Sequence, residues 1–417
     1  AIQLHVTPLI DNFAHRKTTF TMTELKENQG IPRHILIMMA VMAGITVANL
    51  YYNQPLLELI RHDTGATEVE ANLITVISQA GYALGLFLII PTGDLYPRRR
   101  IIAMSLITAA AMGTVIAVSD SIGVIWGASL FLGMCSVIPQ LFIPIAGQFS
   151  KPGNKARNIG YVLSGLLTGI LASRVISGFI GERMGWRAVF VISAALMAAC
   201  LAVTAAMMPE MIPNFRGSYP QLMRTVWRIV RTQPRIRLNA VRSSLAFGSM
   251  LAIWSCLAFH LAGEPFRAGA STTGVLGLCG MAGAIAASGM GRLVPRYGIK
   301  RFSKAGALLQ LAAWATAFTF GDSYAGLIAA IILADIGVQC IQLSNQSDCI
   351  QQMPEAANRA NTIFITVYFI GGALGTLCAG VGWDMCGWGG VCLTGALFAT
   401  LSLAITLVAD KPCKRQA

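Results

Sequence analysis

Charge is scarce in this sequence. Asp, Glu, Lys and Arg together make up 12% of its 417 residues, about half the usual share of a soluble domain. With 55% hydrophobic residues, a folded chain has too little polar surface to cover itself, so the surplus must face lipid. Nucleotide chemistry is missing too: no Gly-x-x-x-x-Gly-Lys-Ser/Thr phosphate loop occurs, and the glycine-rich stretches lie inside apolar runs. The ten cysteines are scattered, and no pair has metal-ligand spacing; Cys386 and Cys392 are too isolated to form a site. They read as small packing residues. Neither enzymatic chemistry nor a metal or cofactor is expected. No cleavable signal peptide is visible, because the first stretch is polar and lacks an apolar core segment. Met22-Thr-Glu-Leu-Lys reads as the native start, which leaves residues 1–21 outside the functional reading.

What is abundant is apolar length. Mean hydropathy is +0.63, and a bilayer-crossing helix needs roughly 20 mostly apolar residues. Spans are expected near 35–57, 71–92, 101–118, 122–148, 158–180, 188–208, 240–262, 270–290, 303–319, 324–347, 360–380 and 388–408. The expected fold is therefore an all-α membrane protein with twelve transmembrane helices. A net charge of +13 could signal nucleic acid, but its distribution argues otherwise. On this map 26 of the 31 Lys and Arg fall on one side, including Arg98–Arg100 and the Arg216 to Arg242 stretch. Only Arg61, Arg183, Arg187 and Arg267 fall on the other, and Arg174 alone lies within a span. This is the positive-inside pattern, which puts both termini in the cytoplasm and expects no nucleic-acid partner.

A polar interruption divides the chain. The expected organisation is a cytoplasmic tail (1–30), a six-helix bundle (31–208), a cytoplasmic linker (209–238), a second six-helix bundle (239–410) and a tail (411–417). In the linker Leu222, Val226, Ile229 and Val230 share a helical face, with Arg224, Arg228 and Arg231 largely opposite. That pattern fits an amphipathic helix on the inner leaflet, or a solvated linker helix. The halves echo each other. Gly93-Asp94-Leu-Tyr-Pro97-Arg98-Arg99-Arg100 follows the second span, and Gly291-Arg-Leu-Val-Pro295-Arg296-Tyr297-Gly298 follows the eighth. Paired six-span repeats form two pseudo-symmetric bundles, with substrate held near the midplane between them.

With these two turns in hand, the chain resembles the major facilitator superfamily from Ile31 to Asp410. The family's turn motif is Gly-x-Leu-x-Asp-Arg-x-Gly-Arg-Arg. Asp94, Arg98 and Arg99 fit the first copy, whereas Ile90, Leu95 and Pro97 depart from it. Gly291, Leu293, Arg296 and Gly298 fit the second, where Pro295 replaces the acid. The family's antiporter motif is echoed at Gly169-Ile-Leu-Ala-Ser173-Arg174-Val-Ile-Ser177-Gly178, with Arg174 in the proline's place. Asn49-Leu-Tyr-Tyr-Asn-Gln-Pro55, Gly185-Trp-Arg-Ala-Val-Phe190 and Asp335-Ile-Gly-Val-Gln339 resemble a bacterial efflux-like subgroup. The resemblance implies alternating access by a monomeric carrier in the bacterial inner membrane. It also implies that the second and eleventh spans meet across the halves. Gly81, Gly85, Gly371, Gly375 and Ala379 permit close approach there. Asp94 would face the start of the eleventh helix near Asn358 to Thr362. Asp94, Arg98, Arg99, Arg296 and Gly298 form the expected gating set.

Ionisable groups within spans are the first transport candidates, because burying one in hydrocarbon costs about 3 kcal/mol or more. Asp335 sits near the middle of the tenth span, with Gln339, Gln342 and Gln346 on the same face. Such a stripe lines either water or a partner helix. Asp335 is the expected proton site, and Gln339 and Gln342 the expected substrate ligands. Arg174 could pair with Asp335, clamp an anion with its planar fork, or pair with Glu182. Asn49, Tyr52 and Asn53 in the first span suit a polar organic solute. Gln140 occupies a place pseudo-equivalent to Gln342, and Trp254 could stack on substrate. His260 reads as interfacial. The leading expectation is proton-coupled export of a small organic compound. The alternative is a facilitator or importer of a polar or anionic metabolite, and a non-transporting receptor is the third reading. Expected partners are that small molecule, protons and membrane lipids.

Overall fold

The computed structural model describes residues 25–211, 217–283, 285, 297–353 and 356–408. Among them only helices and turns occur. In chain order they are α1 (Arg33–Ala48), α2 (Leu57–Thr64), α3 (Glu68–Leu88), α4 (Arg98–Val118), α5 (Ile122–Cys135), α6 (Pro139–Phe149) and α7 (Lys155–Met184). Then come α8 (Trp186–Met207), α9 (Tyr219–Thr232), α10 (Pro234–Ala262), α11 (Ala270–Leu276), α12 (Ile299–Phe320), α13 (Tyr324–Gln352) and α14 (Ala357–Val408). Single 3-10 turns at Gln54–Leu56, Ile90–Asp94 and Gly277–Gly280 interrupt or extend these helices.

Eight helical stretches among the described residues are long and apolar enough to cross a membrane. The difference from the expected twelve has local causes. The first span breaks between α1 and α2, where Pro55 opens a 3-10 turn and removes a backbone donor. The eighth lies partly outside the described residues, and the ninth, α12, is not apolar enough to stand among the eight. The last two form one helical run, Arg359–Val408, whose backbone leaves helical geometry only at Cys386 and Gly387. The lipid-compatible surface is plain on α4, where Met104, Ile107 and Val118 are exposed, whereas α10 is buried almost throughout.

Helix ends are set by ordinary capping. Thr67 Oγ1 accepts from the Glu70 amide at 3.2 Å while the Glu70 carboxylate accepts from the Thr67 amide at 2.8 Å, a capping box that starts α3. Glycine sets the helix crossings. A methyl group at Gly165 or Gly169 would collide with the backbone of Ala40 or Gly44, so α7 lies directly on α1. About 205 residues later the contact repeats, with Gly371 and Gly375 of α14 against Ser244 and Gly248 of α10. Gly81 and Gly85 likewise face Leu130 and Met134 of α5. These glycines therefore pack helices neighbouring within each half, not the second span against the eleventh. The α3–α14 seam uses larger side chains: Asn72 Nδ2 donates to the Thr376 carbonyl at 2.9 Å, and the Tyr82 and Phe369 rings lie 4.4 Å apart.

α9 is amphipathic, but its apolar face is not left for lipid. Leu222, Val226 and Ile229 are buried against α10, α14 and the Ile90–Asp94 turn, while Arg224, Arg228 and Arg231 are exposed.

Candidate functional site

Arg174 lies on α7 about 15 Å from its C-terminal end at 1.5 Å per residue, and only 4% of it is exposed. Its Nε donates to Gln54 Oε1 at 2.9 Å. Its guanidinium carbon lies 4.1 Å from the Trp254 ring centroid and 5.1 Å from that of Tyr51. Cation–π contact thus covers the cation with aromatic faces. The side chain fits because its neighbour is Gly277, whose Cβ would fall 3.0 Å from Arg174 Cβ.

Asp335 arrives from α13. A Cβ at Gly280 would lie 3.1 Å from Asp335 Oδ2 and 3.9 Å from Arg174 Nη1, so those two atoms are at most 7.0 Å apart. They form no ion pair within 4.0 Å, Asp335 is 8% exposed, and its Oδ2 has no hydrogen-bond donor among the described residues. Arg174 does not pair with Glu182; that carboxylate instead accepts from the Ser271 amide at 2.8 Å, at the start of α11. The rest of the stripe faces α14: Gln342 Oε1 accepts from the Tyr368 hydroxyl at 2.8 Å, and Gln346 Nε2 donates to Asn361 Oδ1 at 2.8 Å. Gln339 is half-buried.

The first-span residues separate. Asn49 turns to α8, where Nδ2 donates to Met197 Sδ at 3.3 Å and Oδ1 accepts from the Ser193 hydroxyl. Tyr52 also faces α8, near Cys200. Asn53 donates to Ser78 Oγ on α3 at 3.4 Å. Tyr51 and Gln54, rather than Tyr52 and Asn49, reach Arg174. Gln140 on α6 donates to the Tyr82 hydroxyl at 3.4 Å. His260 is buried, with Nε2 3.0 Å from the Gly321 carbonyl and its ring stacked 4.1 Å from that of Trp388.

Sequence reasoning overlooked a second polar stripe on α3. Gln79 is wholly buried, yet neither amide atom has a partner, and Thr75 Oγ1, Asn53 Oδ1 and Gln54 Nε2 are also unpartnered. Each such group costs about 1–3 kcal/mol if left dry and unbonded. The spacing Asn72, Thr75, Gln79 and Tyr82 was a readable signal, because it is the same one-face pattern as on the tenth span.

At the basic end, Asp94 lies 3.8 Å from Arg98, whose Nε donates to the Gly93 carbonyl at 3.2 Å and Nη1 to Gln148 Oε1 at 3.0 Å. Arg99 donates to the Ala205 carbonyl at 2.5 Å and lies 3.9 Å from Glu210. Asp94 also lines a small cleft together with Gln140, Arg359 and Thr362. Gly298 precedes α12 with φ +80°, a left-handed conformation that favours glycine; Arg296 lies outside the described residues. Arg242, grouped by sequence with the surface cations, is buried and donates to Asn345 Oδ1 at 3.1 Å.

The opposite end is sealed between halves. Trp383 Nε1 donates to Glu68 Oε2 at 2.5 Å, alongside the Asn72–Thr376 and Ser271–Glu182 bonds. At the basic end, α6 and α13 do not pack extensively on one another.

Long apolar helices around a buried, charged centre define a multi-pass membrane transporter rather than an enzyme. The family model described as Major Facilitator Superfamily matches residues 36–376, and the chain belongs to that family. It is 32% identical over 391 residues to the uncharacterized transporter YgaY of Escherichia coli O157:H7, covering 91% of this chain and 96% of the relative. The inner membrane transport protein YnfM of Escherichia coli K12 is 24% identical over 408 residues, covering 93% of each. Among solved structures, a mutant form of the nucleoside transporter NupG superposes with a TM-score of 0.73 at 14% identity, covering 90% of this chain and all of that one.

Proposed function

We propose that this protein is a secondary transporter working by alternating access, with twelve spans in two six-helix bundles, and that Asp335 carries a coupling proton. The basic end faces the cytoplasm, both termini lie there, and the membrane is a bacterial inner membrane. The monomer is the working unit. One observation carries the proton assignment: a carboxyl buried at mid-span has an oxygen without any donor, beside but not bonded to a guanidinium. Residues near the centre, namely Tyr51, Gln54, Arg174, Trp254, Gln339 and Gln342, bind the solute, with Gln140 at the entrance. Asp94, Arg98 and Arg99 govern the cytoplasmic side.

Export of a small organic compound is the reading that the efflux-like resemblance favours. In everted vesicles, substrate addition is then expected to alkalinise a proton-loaded interior. Retained coupling in an Asp335→Asn variant refutes Asp335 as the proton site. A second reading, transport of a polar or anionic metabolite held by Arg174, draws support from the lack of any carboxylate within 4.0 Å of that cation among the described residues.

A further inference from the structure

We infer that the central site takes a small organic anion together with a proton, the anion on Arg174 and the proton on Asp335, so that the two bind cooperatively rather than in competition. This rests on Asp335 being the proton site and joins it to the second reading above: proton and anion then cross together, in place of the exchange that export requires, and the solute carries negative charge.

The guanidinium is the starting point. It has five N–H donors in a planar fork. Among the described residues only Nε has an acceptor, and that acceptor is the neutral Gln54 carbonyl. Its faces are taken by Trp254 and Tyr51, so the Nη edge is what remains for a ligand. A fork edge matches a carboxylate with two parallel hydrogen bonds. Leaving it bare in a buried site is costly.

Asp335 then sets the charge balance. Its Oδ2 lies beyond ion-pair distance but within 7.0 Å of Arg174 Nη1. Ionised, it supplies the counter-charge and repels an incoming carboxylate. Protonated, it leaves the pair with one net positive charge, which an anion neutralises. An ammonium solute meets the reverse logic, because Arg174 opposes it whenever Asp335 is neutral. The titratable groups facing this pair are few: Cys279 from the Gly277–Gly280 turn and Tyr368 from α14 face Asp335, and Tyr51 faces Arg174. None of these is a second carboxylate. Gln54 Nε2, unpartnered among the described residues and on the side chain that accepts from Arg174 Nε, offers a neutral donor at the same place, which suits an anion that also bears a hydroxyl or carbonyl oxygen.

The test uses the full-length protein in lipid nanodiscs, probed with benzoate, 4-hydroxybenzoate and lactate and with the isosteres benzamide and benzylamine. Thermal stabilisation gives apparent affinities at pH 8, 7 and 6, a range over which all three carboxylates stay ionised. The expected result is binding of at least one carboxylate, with affinity rising about 5- to 100-fold from pH 8 to pH 6, within the ordinary span of coupling between two sites and no more than about tenfold per pH unit for one linked proton. Asp335→Asn, a neutral isostere, is expected to bind at pH 8 as the native protein does at pH 6. Arg174→Gln is expected to lose carboxylate binding. Benzamide or benzylamine binding as well as benzoate overturns the anion assignment, as does the absence of stabilisation by every carboxylate. Affinity that falls on acidification, with Asp335→Asn insensitive to pH, overturns cooperative binding yet leaves Asp335 as the proton site. Unchanged pH dependence in Asp335→Asn removes the proton site itself. Should Arg174→Gln fail to fold, the isostere comparison and the Asp335→Asn curve still decide.

Discussion

At the scale of the residue, Arg174 has no conservative substitute. Lysine keeps the charge but lacks the planar face that Trp254 and Tyr51 cover and the fork that a bidentate ligand needs. Arg174→Lys is therefore expected to weaken solute binding at least tenfold, read from transport half-saturation in proteoliposomes, while expression stays near the native level. Gln79 makes a sharper case. If its two bare amide atoms meet solute or water rather than protein, Gln79→Leu will lower transport without lowering the melting temperature. A large fall in stability would instead reveal an internal partner. Asp335 and Arg174 were legible as single letters, because an ionisable residue inside an apolar run is conspicuous. Their distance was not legible, since it depends on the glycines at 277, 280 and 283 that admit both side chains.

At the scale of the element, span positions were readable because hydropathy and basic clusters act over twenty residues at a time. Directions were not. Asn49 and Tyr52 look as exposed to the centre as Tyr51 and Gln54, but α1 ends at Ala48, and in the turns that follow the first pair faces α8 while the second reaches Arg174. Glycine announces that two helices approach closely but not which two, so the stripes at 81, 85, 371 and 375 invited a pairing across the halves when they serve pairings within them. Crowding there is testable. Gly375→Val must push into the Gly248 backbone, and overpacking of this kind costs about 1–3 kcal/mol. Its melting temperature in detergent is expected to fall by several degrees, and an unchanged value would count against the α10–α14 crossing.

At the scale of the whole molecule, lipid is the solvent for most of the surface, so the purified protein is expected to lose monodispersity when detergent is withdrawn. Motion belongs to this scale too. The end that carries Glu68 and Trp383 is sealed by bonds joining α3 to α14. Cysteines replacing Asn72 and Thr376 should accept a short cross-linker, and that bridge should stop transport until it is cleaved. Continued flux through a fully bridged protein would show that this seam does not have to part. Membership in the family could be read from the two short basic turns, whereas the closed seam could not, because Asn72, Thr376 and Trp383 are unremarkable letters in an apolar context.

The duplicated glycine crossings carry one more implication. Where α1 meets α7 and α10 meets α14, backbone touches backbone with no side chain between, so neither crossing has slack to slide or splay. On the proposed two-bundle motion, deformation is therefore expected along the α3–α14 boundary, which meets through longer, rotatable side chains, rather than at those joints. Under the alternating access proposed above, the aperture that a solute sees is set by how far one block tilts against the other, so that exchanging lining residues retunes the cargo without touching those glycine crossings.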